Sequence, residues 1–512
     1  MEQVCRRRTR SATPKNLGFS GSCSSGLCSP ASAGRIAMEG FFHGQFGAPE
    51  RQEHATYEPL ARRPMLVEVP LSGLFFDRPV MKDRLHRGLC SMENASPLRI
   101  DSRDAIERAK LARLEELLAE VLPANAFYAA KLAGIRLPPT SLAELQDWPT
   151  TSKQELADAA ATGRPANLSF EPARYVRFHQ TSGSHGLPMP VFDTADDWRW
   201  WMACWQEVLD RGGVGPGERV LVASSFGPYA GFWSGFDAVI ASGGMAIPAG
   251  GLSTAGRLDL VRRTSATVLM ATPSYCLHLA EVAADRGIDA TGLGLRLVIV
   301  AGEPGGSVAE VRRRIGDAFA AGVLDHAGAT EVGPWGVGDL AGEYLEVLEP
   351  WFHPEFLSLE SGEPAAEGEL AELVLTTLGR AGCPVIRYRT GDLVRAVWPD
   401  RGEQGRPPRV RLAGGVLGRA DDMLVVRGVN LFPSAIDAIV RGFPEVLEYR
   451  VVVDRRRNLD ELRVEVEDRA DRPERIAEEL HLRLGLRCEV VGVPRGSLPR
   501  FEGKGRRFIV EQ

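Results

Sequence analysis

Between residues 101 and 122 the apolar positions Ala105, Ile106, Ala109, Leu111, Leu114, Leu117 and Leu118 recur near a 3.6-residue period. With Asp and Arg at its start, this stretch predicts an amphipathic helix. A second helical stretch follows Asn125-Ala-Phe-Tyr128. From Tyr175 onward short apolar runs at 220–223, 268–271, 295–300 and 323–325 alternate with helical patterns at 259–265 and 275–286. That alternation reads as βαβ units in a mostly parallel sheet. After an apolar run at 368–375 the pattern predicts β-hairpins around 385–397 and 410–417, then a break near Gly418. Beyond it, strand-like runs at 424–426, 449–453 and 462–466 alternate with helices at 433–440 and 473–484. The expected fold is α/β: a large multi-layer N-terminal domain with mostly parallel sheets over 97–417, and a small mobile α+β C-terminal domain over 418–512. No internal repeat is present.

The first 96 residues do not share this texture. Residues 1–49 are rich in Ser, Gly and Arg and lack the continuous apolar stretch of a secretory signal. Such a composition cannot bury enough surface to fold alone. Residues 1–96 are expected to be a disordered leader, or the product of a start placed too far upstream, since Met38, Met65, Met81 and Met92 follow.

Composition narrows the function classes. A chain of 512 residues with 44% hydrophobic and 25% charged positions is globular and holds more than one domain. Its net charge of −6 gives no reason to expect a nucleic-acid partner. The run Arg455-Arg-Arg457 lies between Asp454 and Asp460 and reads as a solvated turn. Residues 220–252 carry only one charge, Asp237, but their many Gly, Ser and Pro favour buried core over a membrane span. Eight scattered cysteines, with no Cys-x-x-Cys, indicate a reduced, cytoplasmic chain without a structural metal.

The cations are unevenly chosen. Arg is used 55 times and Lys 6 times, and Lys504 is the only lysine after Lys153. Lys is a compact point charge, whereas Arg is a fork suited to bidentate pairs. A lone lysine between Gly503 and Gly505 therefore reads either as a required ammonium or as a chance survivor in a solvated loop.

Four further motifs carry chemistry. Phe178-His-Gln-Thr-Ser-Gly-Ser-His-Gly-Leu-Pro188 is a hydroxyl- and glycine-rich turn after a strand-like stretch. Its amides and hydroxyls suit phosphate oxygens, although many such loops are only turns. It is not a Walker loop, because no Gly-Lys-Ser/Thr follows. In Asp325-His-Ala-Gly-Ala-Thr-Glu331, Thr330 and Glu331 suit a phosphate contact and an oxygen ligand for Mg²⁺. Helix capping by Thr330 is the alternative. Asp392, after the turn in Ile386-Arg-Tyr-Arg-Thr-Gly-Asp392, suits a pair of ribose hydroxyls, and Gly418-Arg-Ala-Asp-Asp-Met423 stands at the domain break.

In this order these motifs resemble the adenylate-forming superfamily of acyl-CoA synthetases, luciferases and adenylation domains. The match is closest to the phenylacetate–CoA ligase branch, and covers residues 100–512. Trp148-Pro-Thr-Thr-Ser-Lys153, Ala271-Thr-Pro-Ser-Tyr275 and Ala301-Gly-Glu-Pro304 mark that branch, as does the long stretch from Gly418 to Pro433. The resemblance implies that ATP-Mg²⁺ and a small-molecule carboxylate give an acyl-adenylate and pyrophosphate, and that a thiol, typically of coenzyme A, then displaces AMP. It places Thr181, Ser182, Gly183, Ser184, His185 and Gly186 on the phosphates, and Thr330 and Glu331 on the α-phosphate and Mg²⁺. Gly302, Glu303, His326, Ala327, Asp392 and Arg419 are placed around the nucleotide. Lys504 bridges the carboxylate and α-phosphate in the first half-reaction, and Asp421 is the hinge of the rotating C-terminal domain.

The chain departs from the family pattern at three points. His185 stands where a second hydroxyl is usual in the phosphate loop, which ties ATP affinity to pH. Met189 replaces a basic or polar residue. Ala327 stands in place of the aromatic that stacks on adenine. Either His326 or another ring stacks instead, or the nucleotide binds more weakly, or the opened floor takes a different acyl group.

Phe226, Tyr229, Phe232 and Trp233 lie where this branch forms its acyl pocket and suit an aryl or arylacetic acid, with ordinary core as the alternative. Trp198, Trp201 and Trp205 recur at helical spacing and read as packing. The alternatives to a CoA ligase are transfer to a carrier-protein thiol or an amine, or a non-catalytic nucleotide- or acyl-binding relative. A homodimer is left open.

Overall fold

The structure is a computed structural model and describes residues 102–158, 164–181, 188–399, 402, 407–420, 424–426, 429–454, 461–485, 487–501 and 507–511. The expected leader and the arginine run at 455–457 lie outside them.

The first helix, Arg103–Val121, is capped by Ser102, whose Oγ accepts the amide of Ala105, and carries Asp104 in its first turn. Its buried face includes Ala105, Ile106, Leu114, Leu117 and Leu118, the positions that set the period in the sequence. The same face buries Lys110. Its Nζ lies 2.9 Å from Glu349 Oε1, and Arg103 also pairs with Glu349. Burial would raise the Glu349 carboxyl, but Lys110 and Arg103 overcome it and hold the group down at about 2.

This pair yields a stability prediction. A folded-state pKa below the ordinary 4.5 contributes stability that is present above pH 4.5 and lost as pH falls through about 2. Glu349→Ala leaves the buried ammonium with Glu107 Oε1, 2.9 Å away, and should cost roughly 1–3 kcal/mol at pH 7. Urea denaturation should show the gap between the two proteins narrowing as pH falls through that window.

The large sheet has a parallel half and an antiparallel half. Strands Met245–Pro248, Arg219–Val222, Val268–Ala271, Leu297–Ala301 and Gly322–Ala329 lie parallel in that order. Consecutive residues are buried on opposite faces: Leu269 and Val298 join one core cluster, Met270 and Ile299 the other. Continuous apolar runs are what such two-sided strands require. Trp198, Trp201 and Trp205 are buried in the second of these cores, as the packing reading expected.

The sheet then continues antiparallel through Gly333–Gly338, Tyr344–Val347, Arg411–Ala413, Tyr388–Val397, Leu370–Thr377 and Phe352–Ser358, with Gly418–Arg419 paired to Tyr388–Val397. The hairpin texture expected at 385–397 and 410–417 is present as antiparallel pairing of consecutive strands, with one long-range pairing added. Tyr388–Val397 pairs with Leu370–Thr377 and with Arg411–Ala413, and the latter pairs with Tyr344–Val347 far upstream. The helix expected at 259–265 begins earlier, at Thr254, because Ser253 caps it by accepting the amide of Gly256.

The C-terminal region has its own sheet, ordered Glu489–Gly492, Glu461–Asp468, Val446–Asp454, Phe508–Glu511. Helices Pro433–Arg441 and Pro473–Leu484 cover it with Ile436, Val440, Ile476 and Leu480, forming a core separate from the large sheet. Each starts with proline, which needs no amide partner in the first turn. Among the described residues no helix is long and apolar enough to cross a membrane.

Candidate active site

Strands Tyr175–Gln180 and Pro190–Thr194 pair antiparallel, and Thr181 closes their end. Its amide donates to Met189 O at 2.9 Å, and its Oγ1 accepts from Met189 N at 3.0 Å. The proposed phosphate loop is thus the hairpin connection. Ser182, Gly183, Ser184, His185 and Gly186 lie outside the described residues.

On the returning strand Asp193 is fully buried. Arg380, equally buried, donates Nε to its Oδ1 at 2.8 Å, and Trp201 Nε1 donates to the same oxygen at 3.2 Å. Burial pushes this carboxyl up, but the guanidinium prevails and holds it below the ordinary range. Arg380 also donates Nη1 to the carbonyl of Glu331 at 2.8 Å. One buried guanidinium therefore ties the hairpin behind the phosphate loop to the turn that carries Thr330 and Glu331.

Glu331 ends that turn, immediately after strand Gly322–Ala329 and beside half-buried Thr330. Tyr388 donates its hydroxyl to Glu331 Oε1 at 3.1 Å, and Lys153 Nζ stands 3.3 Å from the same oxygen. Burial would raise the Glu331 carboxyl, yet Lys153 leads the effects that hold it below the usual range. Burial pushes the Tyr388 hydroxyl well up, so it stays a donor. Both partners address Oε1, so neither takes the second carboxylate oxygen. One ionised carboxylate suits Mg²⁺, which keeps waters and takes substrate phosphates alongside one or two protein oxygens. Without Lys153, only the Tyr388 hydroxyl and a backbone hydrogen bond are left to oppose burial at Glu331. Lys153→Ala should therefore move the acid limb of the kcat/KM pH profile upward.

Asp392 and Arg419 face each other in register on adjacent strands, and Arg419 Nη1 donates to Asp392 Oδ1 at 3.0 Å. Gly302 sits at φ +94°, a conformation suited to glycine, at the end of Leu297–Ala301. Glu303 accepts the amide of Ser274 at 2.7 Å and faces Arg507 Nη1 at 3.7 Å. Its carboxylate therefore joins the start of helix Pro273–Asp285 to the C-terminal region.

His326, expected beside the nucleotide, is buried. Alternation along the strand puts it on the opposite face from Asp325 and Ala327. Its ring packs 4.2 Å from Trp205, and Nδ1 lies 2.8 Å from Gly336 O. Ala327 is a small side chain against the core.

Lys504 and Asp421 lie outside the described residues, but the ends of the Lys504 loop do not. Arg500 pairs with Glu467 at 2.8 Å and reaches Glu281 at 3.5 Å. Arg507 pairs with Glu448 at 2.7 Å and faces Glu303. Both ends are thus fixed to C-terminal carboxylates and also face the large sheet's helix and turn.

Phe226, Trp233 and Phe236 form edge-to-face contacts, with centroids 4.9 and 5.3 Å apart. Trp233 Nε1 donates to the carbonyls of Phe226 and Gly227. Phe232 is half-buried against the same core, while Tyr229 is exposed. A cavity of about 240 Å³ near Arg103, His353 and Trp398 contains none of the residues predicted from the sequence.

Lys153, Tyr388 and Arg380 were missed as site residues. Arg380 had a signal: it is the single charge between Glu372 and Arg387 in an otherwise apolar and glycine-rich run, so it had to be buried and paired. Lys153 had the same scarcity of lysine that marked Lys504.

A family model described as AMP-binding enzyme matches residues 122–369, and one described as AMP-binding enzyme C-terminal domain matches 428–512. The chain is 32% identical over 438 residues to the phenylacetate-coenzyme A ligase of Escherichia coli (strain K12), covering 81% of this chain and 96% of that protein. Among solved structures, 2-hydroxyisobutyryl-CoA ligase in the postadenylation state with R3-HIB-AMP aligns at a TM-score of 0.76 and 26% identity, covering 81% of this chain and 92% of that one. The same enzyme with 2-HIB-AMP and CoA in the thioesterification state aligns at 0.60 and 27% identity, covering 79% and 89%. With the two AMP-binding regions matched and the phenylacetate-coenzyme A ligase aligned over nearly its full length, the chain belongs to the phenylacetate–CoA ligase family of adenylate-forming enzymes.

Proposed function

We propose that the chain activates an aryl or arylacetic acid and passes it to coenzyme A. The chain is an AMP-forming acid–CoA ligase. A carboxylate oxygen attacks the α-phosphorus of ATP and pyrophosphate leaves; the thiol of coenzyme A then attacks the acyl carbon and AMP leaves. The observation that carries the site assignment is the Asp193–Arg380 pair, which joins the phosphate-loop hairpin to the Thr330-Glu331 turn. In this reading Thr181 to Gly186 hold the β- and γ-phosphates, and Thr330 and Glu331 hold the α-phosphate and Mg²⁺. The metal supplies charge neutralisation of the phosphates. Asp392 takes the ribose, with Arg419 keeping its carboxylate in place. Lys504 neutralises the charge that develops between the carboxylate and the α-phosphate.

The higher TM-score against the postadenylation state than against the thioesterification state supports a postadenylation arrangement for the C-terminal region. The contact of Arg507 with Glu303 supports the same. A boundary near 417, a hinge at Asp421 and a cytoplasmic location belong to this reading, the last supported by the free thiols of Cys204, Cys276, Cys383 and Cys488. Pyrophosphate release across a panel of aryl and alkyl acids, with and without coenzyme A, tests it. Thioester formed from an aryl acid is the expected result. Adenylate without thioester would point to a carrier-protein thiol or an amine, and no pyrophosphate with any acid would sink the ligase reading.

A further inference from the structure

We propose that Arg387 is a positioning residue for Glu331: one buried arginine clamps together the two segments that carry Lys153 and Tyr388, the pair that holds Glu331 Oε1. The inference rests on the reading of Glu331 as the Mg²⁺ ligand, and it names the group that sets this ligand's geometry from behind.

Arg387 sits at φ +47°, immediately before strand Tyr388–Val397. A non-glycine residue in the left-handed region is strained, so its surroundings must hold it there. Its amide donates to Thr376 Oγ1 at 2.9 Å. Its carbonyl accepts the amide of Thr151 at 2.8 Å, and the carbonyl of Thr151 accepts the amide of Arg389 at 2.9 Å. Thr151 therefore lies alongside Tyr388 as a parallel bridge, two residues before Lys153.

The buried guanidinium repeats the link at its other end. Nε donates to Glu355 Oε2 at 3.0 Å, and Nη2 stands 2.9 Å from Glu355 Oε1. Nη1 donates to the carbonyl of Gln146 at 2.9 Å and to that of Trp148. Segment 146–151 is thus fastened twice, by side chain and by backbone, to the strand that opens with Tyr388. Each fastened piece delivers one contact to Glu331 Oε1: Lys153 Nζ at 3.3 Å and the Tyr388 hydroxyl at 3.1 Å. An oxygen held from two sides keeps the carboxylate from swinging. Outer contacts of this kind govern how well a ligand oxygen meets its metal. Lysine at 387 could keep a charge pair with Glu355, but a single ammonium cannot reproduce a fork that spans two carbonyls and a carboxylate.

The test is calorimetry of ATP binding to the full-length protein without any acid, with Mn²⁺ and with the metal removed by a chelator. The quantity read is the gain in ATP affinity that Mn²⁺ brings. Arg387→Lys should cut that gain by about 10-fold and leave metal-free ATP binding unchanged. In a Glu331→Gln background the same substitution should have no further effect, because no carboxylate remains to be positioned. Glu355→Gln keeps the arginine and loosens only its anchor. It should reduce the gain in the same direction by less, and it decides the matter if Arg387→Lys does not fold. A native gain in the folded variant overturns the proposal. So does an equal loss in the Glu331→Gln background, which a general disturbance of the fold would produce. A Glu331→Gln protein that keeps the full native gain would instead count against the reading of Glu331 as the metal ligand.

Discussion

Replacing Lys504 with Ala should slow acyl-adenylate formation by about 100- to 1,000-fold, the loss seen when one preorganised charge-stabilising donor is removed. The reasoning starts from the ends of the loop. Arg500 is fixed to Glu467, and Arg507 to Glu448 and toward Glu303, so both flanks of the loop are held by ion pairs. Glycines at 503 and 505 suit a segment that must deliver one compact ammonium. An arginine fork would not substitute, because the target is a pair of oxygens brought together only as the first transition state forms. Lys504→Arg should therefore remain at least about 10-fold impaired. Thioester formation from supplied acyl-adenylate should change by no more than a few fold, since the developing charge is then elsewhere. Single-turnover measurement of the two half-reactions separates these outcomes. An equal loss in both would deny the residue its assigned step.

The second large effect should come from Arg380, which contacts no substrate in this account. Arg380→Leu leaves the Asp193 carboxylate fully buried with Trp201 Nε1 on Oδ1 and the His179 ring 3.9 Å from Oδ2, and should cost roughly 3–5 kcal/mol in unfolding free energy. It also releases the Glu331 carbonyl, so the apparent affinity for Mg²⁺ should fall along with kcat. The paired variant Arg380→Leu with Asp193→Leu removes both charges. It should be less destabilised than either single variant, because replacing a whole buried ion pair is often nearly neutral. Its activity should stay low, since nothing then holds the Glu331 carbonyl. Recovery of activity together with stability would mean that the pair is structural only.

What the sequence carried, and what it did not, follows from the range of the interactions. The parallel half was legible because Val268–Ala271 and Leu297–Ala301 are buried on both faces and separated by helices, so each run announces itself locally. The antiparallel half was legible in the pairing of consecutive strands but not in the long-range pairing. Arg411–Ala413 meets Tyr344–Val347, more than sixty residues upstream, and no local turn records that. Helix Thr254–Thr264 lost its first turn in the reading because its signal is the cap at Ser253 rather than the apolar period.

At the site, Tyr388 and Asp392 share one strand and bond Glu331 and Arg419 respectively. His326 could not be placed from sequence. Its surroundings turn on which face of a strand looks toward Trp205, and alternation fixes faces only relative to one another. Lys153 and Arg380 act on Glu331 across long chain separations, through geometry that only the fold supplies.

The central claim is that the acid is activated as an adenylate before it meets coenzyme A. Supplying an aryl acid labelled with ¹⁸O in both carboxylate oxygens, together with ATP and coenzyme A, reads this directly by mass spectrometry. One labelled oxygen should appear in AMP and one remain in the acyl-CoA, because the carboxylate oxygen bonded to the α-phosphorus leaves with AMP. Label in inorganic phosphate, with ADP as the nucleotide product, would contradict the account.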